Sequence, residues 1–491
     1  MGAVLVSVLL AGCGSTVQVR STSVPLGDGL GSTLSPEGGG LATSPAGTAT
    51  RNGSGGSTGS LAQGSGGAPA VGTTGTTGAT VTPDRSPSAS GGSAGNAPRS
   101  RTPVKIGVIT QQGLENAAKA IGVDGVATGD TRAQVDAVVA WIRASGGFAG
   151  RPVQVIQHDV SITGSNDEIM ARACTAFTQD TKVDYVLTVL SGLKVLAACL
   201  QKAGVGLLAD NSNFADSTMA KHAPILGNPS ELGAGRMMNL LVDHLWSTGW
   251  LNASSKVGVF ARDNPDGHEV VEGPLTAALK RHGLTAKATR FINDTSGDGG
   301  SSASSNAVLG FRSAGVDRVI PAGYSPLYFM TAAESQSYRP AYAMVSAQGP
   351  GGLLEGTASP NQLHNAAGIG WQPYLDIGKG TRPGPVSARE TLCFELMRKA
   401  GQAATSSLVK GFQVQVCDLL FYLKDLVDLR PDLPKDLLTS ARKQLGDRYV
   451  SPATFRVDVS QRTAGMAGYR PLVYKDDCQC FQYAGPLVKA P

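Results

Sequence analysis

Val104-Lys105-Ile106-Gly107-Val108-Ile109-Thr110 opens the foldable part of the chain. The run is short and rich in β-branched residues, and it reads as a buried strand. An amphipathic helix follows over about Arg132–Ala144, with Val135, Val138, Val139 and Ile142 at helical spacing. The alternation then continues: strand Val153–Gln157, helix Glu168–Gln179, strand Tyr185–Val189, a helix near Leu193–Lys202 and strand Gly206–Ala209. After Pro224–Gly227 it restarts with helix Glu231–Ser247 and strand Lys256–Ala261. Helix His268–His282, strand Ala286–Ile292, helix Ser304–Ala314, strand Arg318–Pro321, helix Leu327–Ser335 and strand Ala341–Val345 complete the second run. Strands separated by helices of 10–15 residues call for parallel sheets covered on both faces. Two such runs make two α/β lobes.

The last third is less regular. Strand Ala367–Trp371, helix Ala388–Lys399, a long helix over about Leu408–Asp428 and helix Pro434–Leu445 precede strands near Phe455–Val459 and Pro471–Tyr474. It is either a separate third domain or a return of the chain that completes both lobes.

Working toward the N-terminus, residues 14–102 contain no Phe, Tyr, Trp or Lys and are dominated by Gly, Ser, Thr, Pro and Ala. Such a segment cannot bury enough apolar surface to offset its ordering entropy, so it is expected to be a disordered tether. Its roughly 89 residues would reach on the order of 50 Å as a flexible coil. Ahead of it, MGAVLVSVLL ends in Leu10-Ala11-Gly12-Cys13. The apolar run is too short to span a bilayer but suits a signal-peptide core. The four residues resemble a bacterial lipobox, which would make residues 1–13 a lipoprotein signal and Cys13 a lipid anchor. No Lys or Arg precedes the run, which leaves an upstream start codon open.

Composition excludes other classes. The 491 residues carry 42 Lys and Arg against 37 Asp and Glu, a net +5. That is too little and too scattered for a nucleic-acid-binding stripe, so no nucleic-acid partner is expected. No later run reaches 18 apolar residues, which places the rest outside the membrane. Apart from Cys13, six Cys remain, an even number that suits disulfides in an exported chain. Cys174 pairs most naturally with Cys199, since both sit on helices flanking one strand, and Cys393 with Cys417 by the same argument. Cys478 and Cys480 are left to each other, with a metal site as the alternative there; no His lies near them in sequence. Neither a metal nor a cofactor is expected. Ser191-Gly192-Leu193-Lys194 matches the S-x-x-K pattern of penicillin-binding enzymes, but the K-T-G strand those enzymes need is absent from the sequence. The reading is not an enzyme.

This organisation resembles the type I periplasmic binding proteins, and among them the branched-chain amino-acid-binding proteins of ABC importers. The resemblance is carried by the order of elements over Pro103–Pro491. Its local pieces are Val104–Thr110, Tyr185–Gly192, Ala322-Gly323-Tyr324-Ser325-Pro326 and Gly468-Tyr469-Arg470-Pro471. It implies two Rossmann-like lobes closing about a hinge of three crossings, expected near Gly227, Gln348 and Val450. Residues 103–226 with 348–450 would form lobe one, and 227–347 with 451–491 lobe two. The implied partners are a small-molecule ligand and an ABC permease. The molecule would be a monomer held on the outer face of the cell membrane by its lipid.

Open α/β sheets bind ligands at the carboxyl ends of their strands. That rule selects Gln111, Gln112, Ser191, Gly192 and Asp210-Asn211-Ser212-Asn213 in lobe one, and Asp263, Asp266, Tyr324, Ser325 and Gln348 in lobe two. Ser191 and Gly192 at a helix start suit a carboxylate, and Ser191 also suits a plain N-cap. Asp210–Asn213 reads equally as an ordinary turn. The resemblance places an acid for the substrate ammonium where this chain has Gln348, a Tyr near Asp266, and an aromatic where it has Gln111-Gln112-Gly113. The expected guest is therefore a small polar molecule, amino-acid-like or related. A ligand sensor or envelope interaction lipoprotein without transport is the alternative function.

Overall fold

The computed structural model describes residues 102–111, 127–160, 166–190, 192–210, 213–293, 300–323, 325–382 and 387–490. The expected signal segment, Cys13 and the tether lie outside them.

Two sheets organise the described chain. In the first, β1 (Val104–Gln111), β2 (Val153–Val160), β3 (Tyr185–Thr188), β4 (Gly206–Ala209) and β5 (Leu226–Gly227) are all parallel, in the order β2-β1-β3-β4-β5. The second repeats that order with β6 (Val257–Arg262), β7 (Ala286–Ile292), β8 (Arg318–Ala322), β9 (Ala341–Val345) and β10 (Ala367–Gly370), as β7-β6-β8-β9-β10. An antiparallel extension of β11 (Gly468–Lys475), β12 (Cys480–Tyr483) and β13 (Val488–Lys489) follows at the β10 edge. Each sheet is buried on both faces, which is why β3, β4 and β9 read as unbroken apolar runs.

Helices supply the cover. On one face of the first sheet lie α1 (Thr131–Ala144), α10 (Ala388–Lys399), α11 (Ser407–Leu429) and α12 (Leu437–Leu445). The other face is covered by α2 (Asn166–Thr175), α3 (Lys194–Ala203) and α4 (Asp216–His222). The second sheet is covered on one side by α5 (Ala234–Ser247), α6 (Pro265–Val270) and α7 (Thr276–Arg281), and on the other by α8 (Ser301–Ser313) and α9 (Leu327–Ser335). The long α11 starts at Ser406, whose side chain accepts from the Val409 amide. Its fully buried Val416, Leu419, Leu420, Leu423 and Leu426 lock it onto the first lobe. Each such side chain contributes about 1.5–3 kcal/mol of burial. The last third therefore completes both lobes and is no separate domain.

The crossings differ from expectation in two places. The chain leaves the first sheet after Gly227, near the expected point. It does not return at Gln348, because β10 pairs with β9 inside the second sheet; the return lies between Ile377, still in a second-lobe core, and α10, with Tyr374 already against the first lobe. Nor is the last crossing at Val450: Ala453, Val457 and Val459 pack in the first lobe, and Met466 is the first residue back in the second. The strand expected at Phe455–Val459 is reduced to a single bridge, Val457 to Met466. Gly368 fixes β10 against β9. A Cβ there would lie 1.8 Å from the Met344 carbonyl oxygen.

All three disulfides expected from the sequence are present: Cys174–Cys199, Cys393–Cys417 and Cys478–Cys480. Among the described residues no helix is long and apolar enough to cross a membrane.

Candidate ligand-binding site

The carboxyl ends of the parallel strands of both sheets meet at a small recess between the lobes. Asp210 and Asn213, after β4, line it with Glu231 and Leu232 of the first crossing. Met237 of α5 adds to the wall, and Ala347, Trp371 and Gln372 follow β9 and β10. Two of these residues are acids and none is Lys or Arg.

Asp210 is buried and held from both sides. Ser230 Oγ donates to it at 2.9 Å, and Gln372 Nε2 from the other lobe lies 3.2 and 3.3 Å from its two oxygens. Asn213 adopts a left-handed backbone, φ 51°, and its amide donates to Glu231 Oε1 at 2.8 Å. Asn228 also donates to Glu231. Behind them the buried carboxyl of Asp418 accepts from Tyr449 Oη at 2.7 Å. Burial, aided by the nearby charge of Asp210, pushes the Asp418 acid up to about 7. Asp376 lies fully buried just beyond Gln372. Its Oδ2 accepts from Ser346 Oγ at 3.0 Å, the Gln372 amide at 3.0 Å and Tyr483 Oη at 2.5 Å, and burial raises its pKa to about 7.

The lobes touch directly at one rim. Thr218 Oγ1 of α4 donates to Asp266 Oδ1 at 2.5 Å, Lys194 Nζ is 3.9 Å from Asp266, and Ser217 bonds Glu269. Asp266, expected to take the guest, is thus an interlobe contact. Asp263 is turned to the outer edge, where it pairs with His268 at 3.0 Å, itself stacked on Phe291. Gln348 is also internal: its Oε1 accepts from the Val345 amide at 2.9 Å and its Nε2 donates to the Pro321 carbonyl at 2.8 Å. The amide ties β9 to β8, which accounts for a neutral residue at that position. Gly192 takes φ 76° and its carbonyl accepts from Asn166 at 2.6 Å. Gln111 ends β1, with its side chain outside the described residues, as are Gln112, Ser191, Asn211, Ser212 and Tyr324.

Two buried polar groups at these strand ends have no partner among the described residues, the Ser325 hydroxyl after β8 and the Trp371 indole N–H after β10. Trp371, Gln372 and Glu231 were not among the expected site residues. The signal for the first two is their place after an apolar strand, which the resemblance assigns to the other lobe.

The repeated strand order, the three crossings and the facing carboxyl ends make this the fold of the type I periplasmic solute-binding proteins. Three solved structures illustrate the likeness. A solute-binding protein of an ABC transporter from R. palustris, in complex with 4-hydroxybenzoate, is 14% identical with a TM-score of 0.58, over 79% of this chain and 98% of that one. A substrate-binding periplasmic protein from Ralstonia solanacearum is 16% identical, TM-score 0.57, over 78% and 99%. An ABC transporter substrate-binding protein from Desulfitobacterium hafniense, in complex with Leu, is 13% identical, TM-score 0.52, over 78% and 99%. No family model and no curated protein matches the sequence.

Proposed function

We propose that this protein is an extracytoplasmic receptor that binds a small polar molecule between its lobes, without chemistry, and presents it to an ABC permease. One observation carries the reading: a recess lined from both lobes at the facing carboxyl ends of two parallel sheets. Such clefts are where open α/β sheets bind ligands. The Trp371 N–H, without a partner among the described residues, supports a guest with an oxygen acceptor, because a buried donor left unmade costs about 1–3 kcal/mol. The fold neighbours in complex with a hydroxybenzoate and with Leu support a small-molecule guest. The small recess and the direct interlobe bonds fit a closed form, so the lobes must part to admit the ligand.

Gly12-Cys13 and the tether support lipid anchoring at the outer face of the membrane, with the receptor acting as a monomer. Of the expected residues, Asp210 and Asn213 stay in the proposed site, joined by Glu231, Trp371 and Gln372. Thermal-shift measurements on the purified chain test the reading, using amino acids, amides, hydroxybenzoates, short organic acids and polyamines. One class should raise the melting temperature and quench tryptophan fluorescence, and Trp371→Phe should abolish the quench. A folded protein that no member of the panel stabilises would count against it.

A further inference from the structure

The third disulfide is placed unlike the other two. Cys174, Cys393 and Cys417 are fully buried, Cys199 is half-buried, and their bridges close loops of 25 and 24 residues. Cys478 and Cys480 are two residues apart; Cys478 is exposed in the turn of the β11–β12 hairpin, and Cys480 opens β12 and is buried. A bridge stabilises chiefly by the loop entropy it removes from the unfolded chain, which grows with loop length. This one closes so short a loop that it adds little to the fold. Its intervening residue, Gln479, is held at φ 48°, a left-handed backbone that a non-glycine residue seldom adopts. Gln482 Nε2 lies 3.4 Å from Cys478 Sγ and 3.6 Å from Cys480 Sγ, an amide donor shared by both sulfurs.

We propose that Cys478–Cys480 is a thiol–disulfide exchange site, open to small thiols while the rest of the protein stays oxidised and folded. The thiolate of the incoming thiol attacks exposed Cys478 Sγ and forms a mixed disulfide. The Cys478–Cys480 bond breaks and its electron pair goes to Cys480 Sγ, within reach of the Gln482 amide. A second thiolate attacks the sulfur of the first thiol and releases Cys478, and both cysteines take up protons. Two thiols are oxidised to one small disulfide, and the protein gains two electrons and two protons. A bridge with one sulfur on the surface is open to exchange at that sulfur, here Cys478, whereas structural bridges sunk in the core resist small thiols. The hairpin turn lies beyond the amino end of β10, opposite the end that carries Trp371 and Gln372. Exchange there does not depend on the ligand-binding reading.

The test incubates the full folded chain with graded glutathione or dithiothreitol, blocks free thiols with N-ethylmaleimide and maps the labelled peptides. Cys478 and Cys480 should be labelled at thiol concentrations at least about tenfold below those that label the other four. Circular dichroism should be unchanged at that point. Cys480→Ser should carry one glutathione on Cys478, and Gln482→Ala should slow exchange several-fold. Labelling of Cys478 and Cys480 only together with the buried pairs would overturn the proposal, and the wild-type map decides it alone if a variant fails to fold.

Discussion

Gln372 Nε2 spans the two lobes by donating to Asp210, 3.2 and 3.3 Å from its carboxylate oxygens. The acceptor follows β4 in the first sheet and the donor follows β10 in the second, so the bond joins the two lobes at the recess. Both side chains are buried. Gln372→Ala leaves Asp210 with Ser230 as its remaining named donor. The loss should be about 1–3 kcal/mol of folding stability, the usual penalty for an under-satisfied buried acceptor. Urea melts check it, and Asp210→Asn combined with Gln372→Ala should cost less than the sum of the single changes, since the two share one bond.

Acidity should strengthen this molecule. Asp418 and Asp376 are buried, with pKa values raised to about 7, mainly by desolvation. A carboxyl whose pKa is higher folded than unfolded binds its proton more tightly in the folded state. Its contribution is fully present below the unfolded pKa and is lost as pH rises through the folded one. From pH 5 to pH 8 stability should fall by on the order of 1–3 kcal/mol per carboxyl. Asp418→Asn keeps an acceptor for Tyr449 and should remove its share of that slope. Melting temperatures at pH 5 and 8 give the readout, and a slope unchanged in Asp418→Asn and Asp376→Asn would contradict the assignment.

The rim contact of Thr218 with Asp266 and Ser217 with Glu269 should set the balance between open and closed lobes. These groups join α4 of one lobe to α6 of the other. The contacts are partly exposed, so each is modest, about 1 kcal/mol or less. Removing both in Asp266→Ala/Glu269→Ala should increase the radius of gyration in small-angle scattering. It should also weaken ligand by roughly tenfold through faster release. Overall stability should change little, because neither acid lies in a core cluster.

Much of this architecture was legible in the chain. Tyr185–Thr188 and Gly206–Ala209 are short apolar runs bounded by helices, and the period change marks each boundary. Two of the disulfide pairs were legible from the helices that carry them, and Cys478–Cys480 as the pair left over. What failed was long-range. Nothing local in Ala367–Gly370 says which sheet it joins, since a buried parallel strand looks the same in either lobe. That single displacement hid Trp371 and Gln372. Likewise Gln348 stands at a strand end, where a ligand contact and a backbone tie call for the same polar residue; only the Val345 and Pro321 partners decide.

Gly368 gives the sharpest test of how the cleft is built. Its neighbour across the ladder is Met344, and an added Cβ would meet the Met344 oxygen at 1.8 Å and its carbonyl carbon at 2.7 Å. These are backbone atoms, so no side chain can swing aside. Gly368→Ala must push β10 off β9, and β10 is the strand that delivers Trp371 and Gln372 to the recess. Stability should drop by about 2 kcal/mol or more. Ligand binding should fall with it even at temperatures where the variant remains folded. Gly356→Ala is the matched control, because a Cβ there meets nothing within 4 Å. It should shift stability by no more than about 0.5 kcal/mol. Equal effects of the two changes in urea melts would mean that β10 does not hold its place by this close approach.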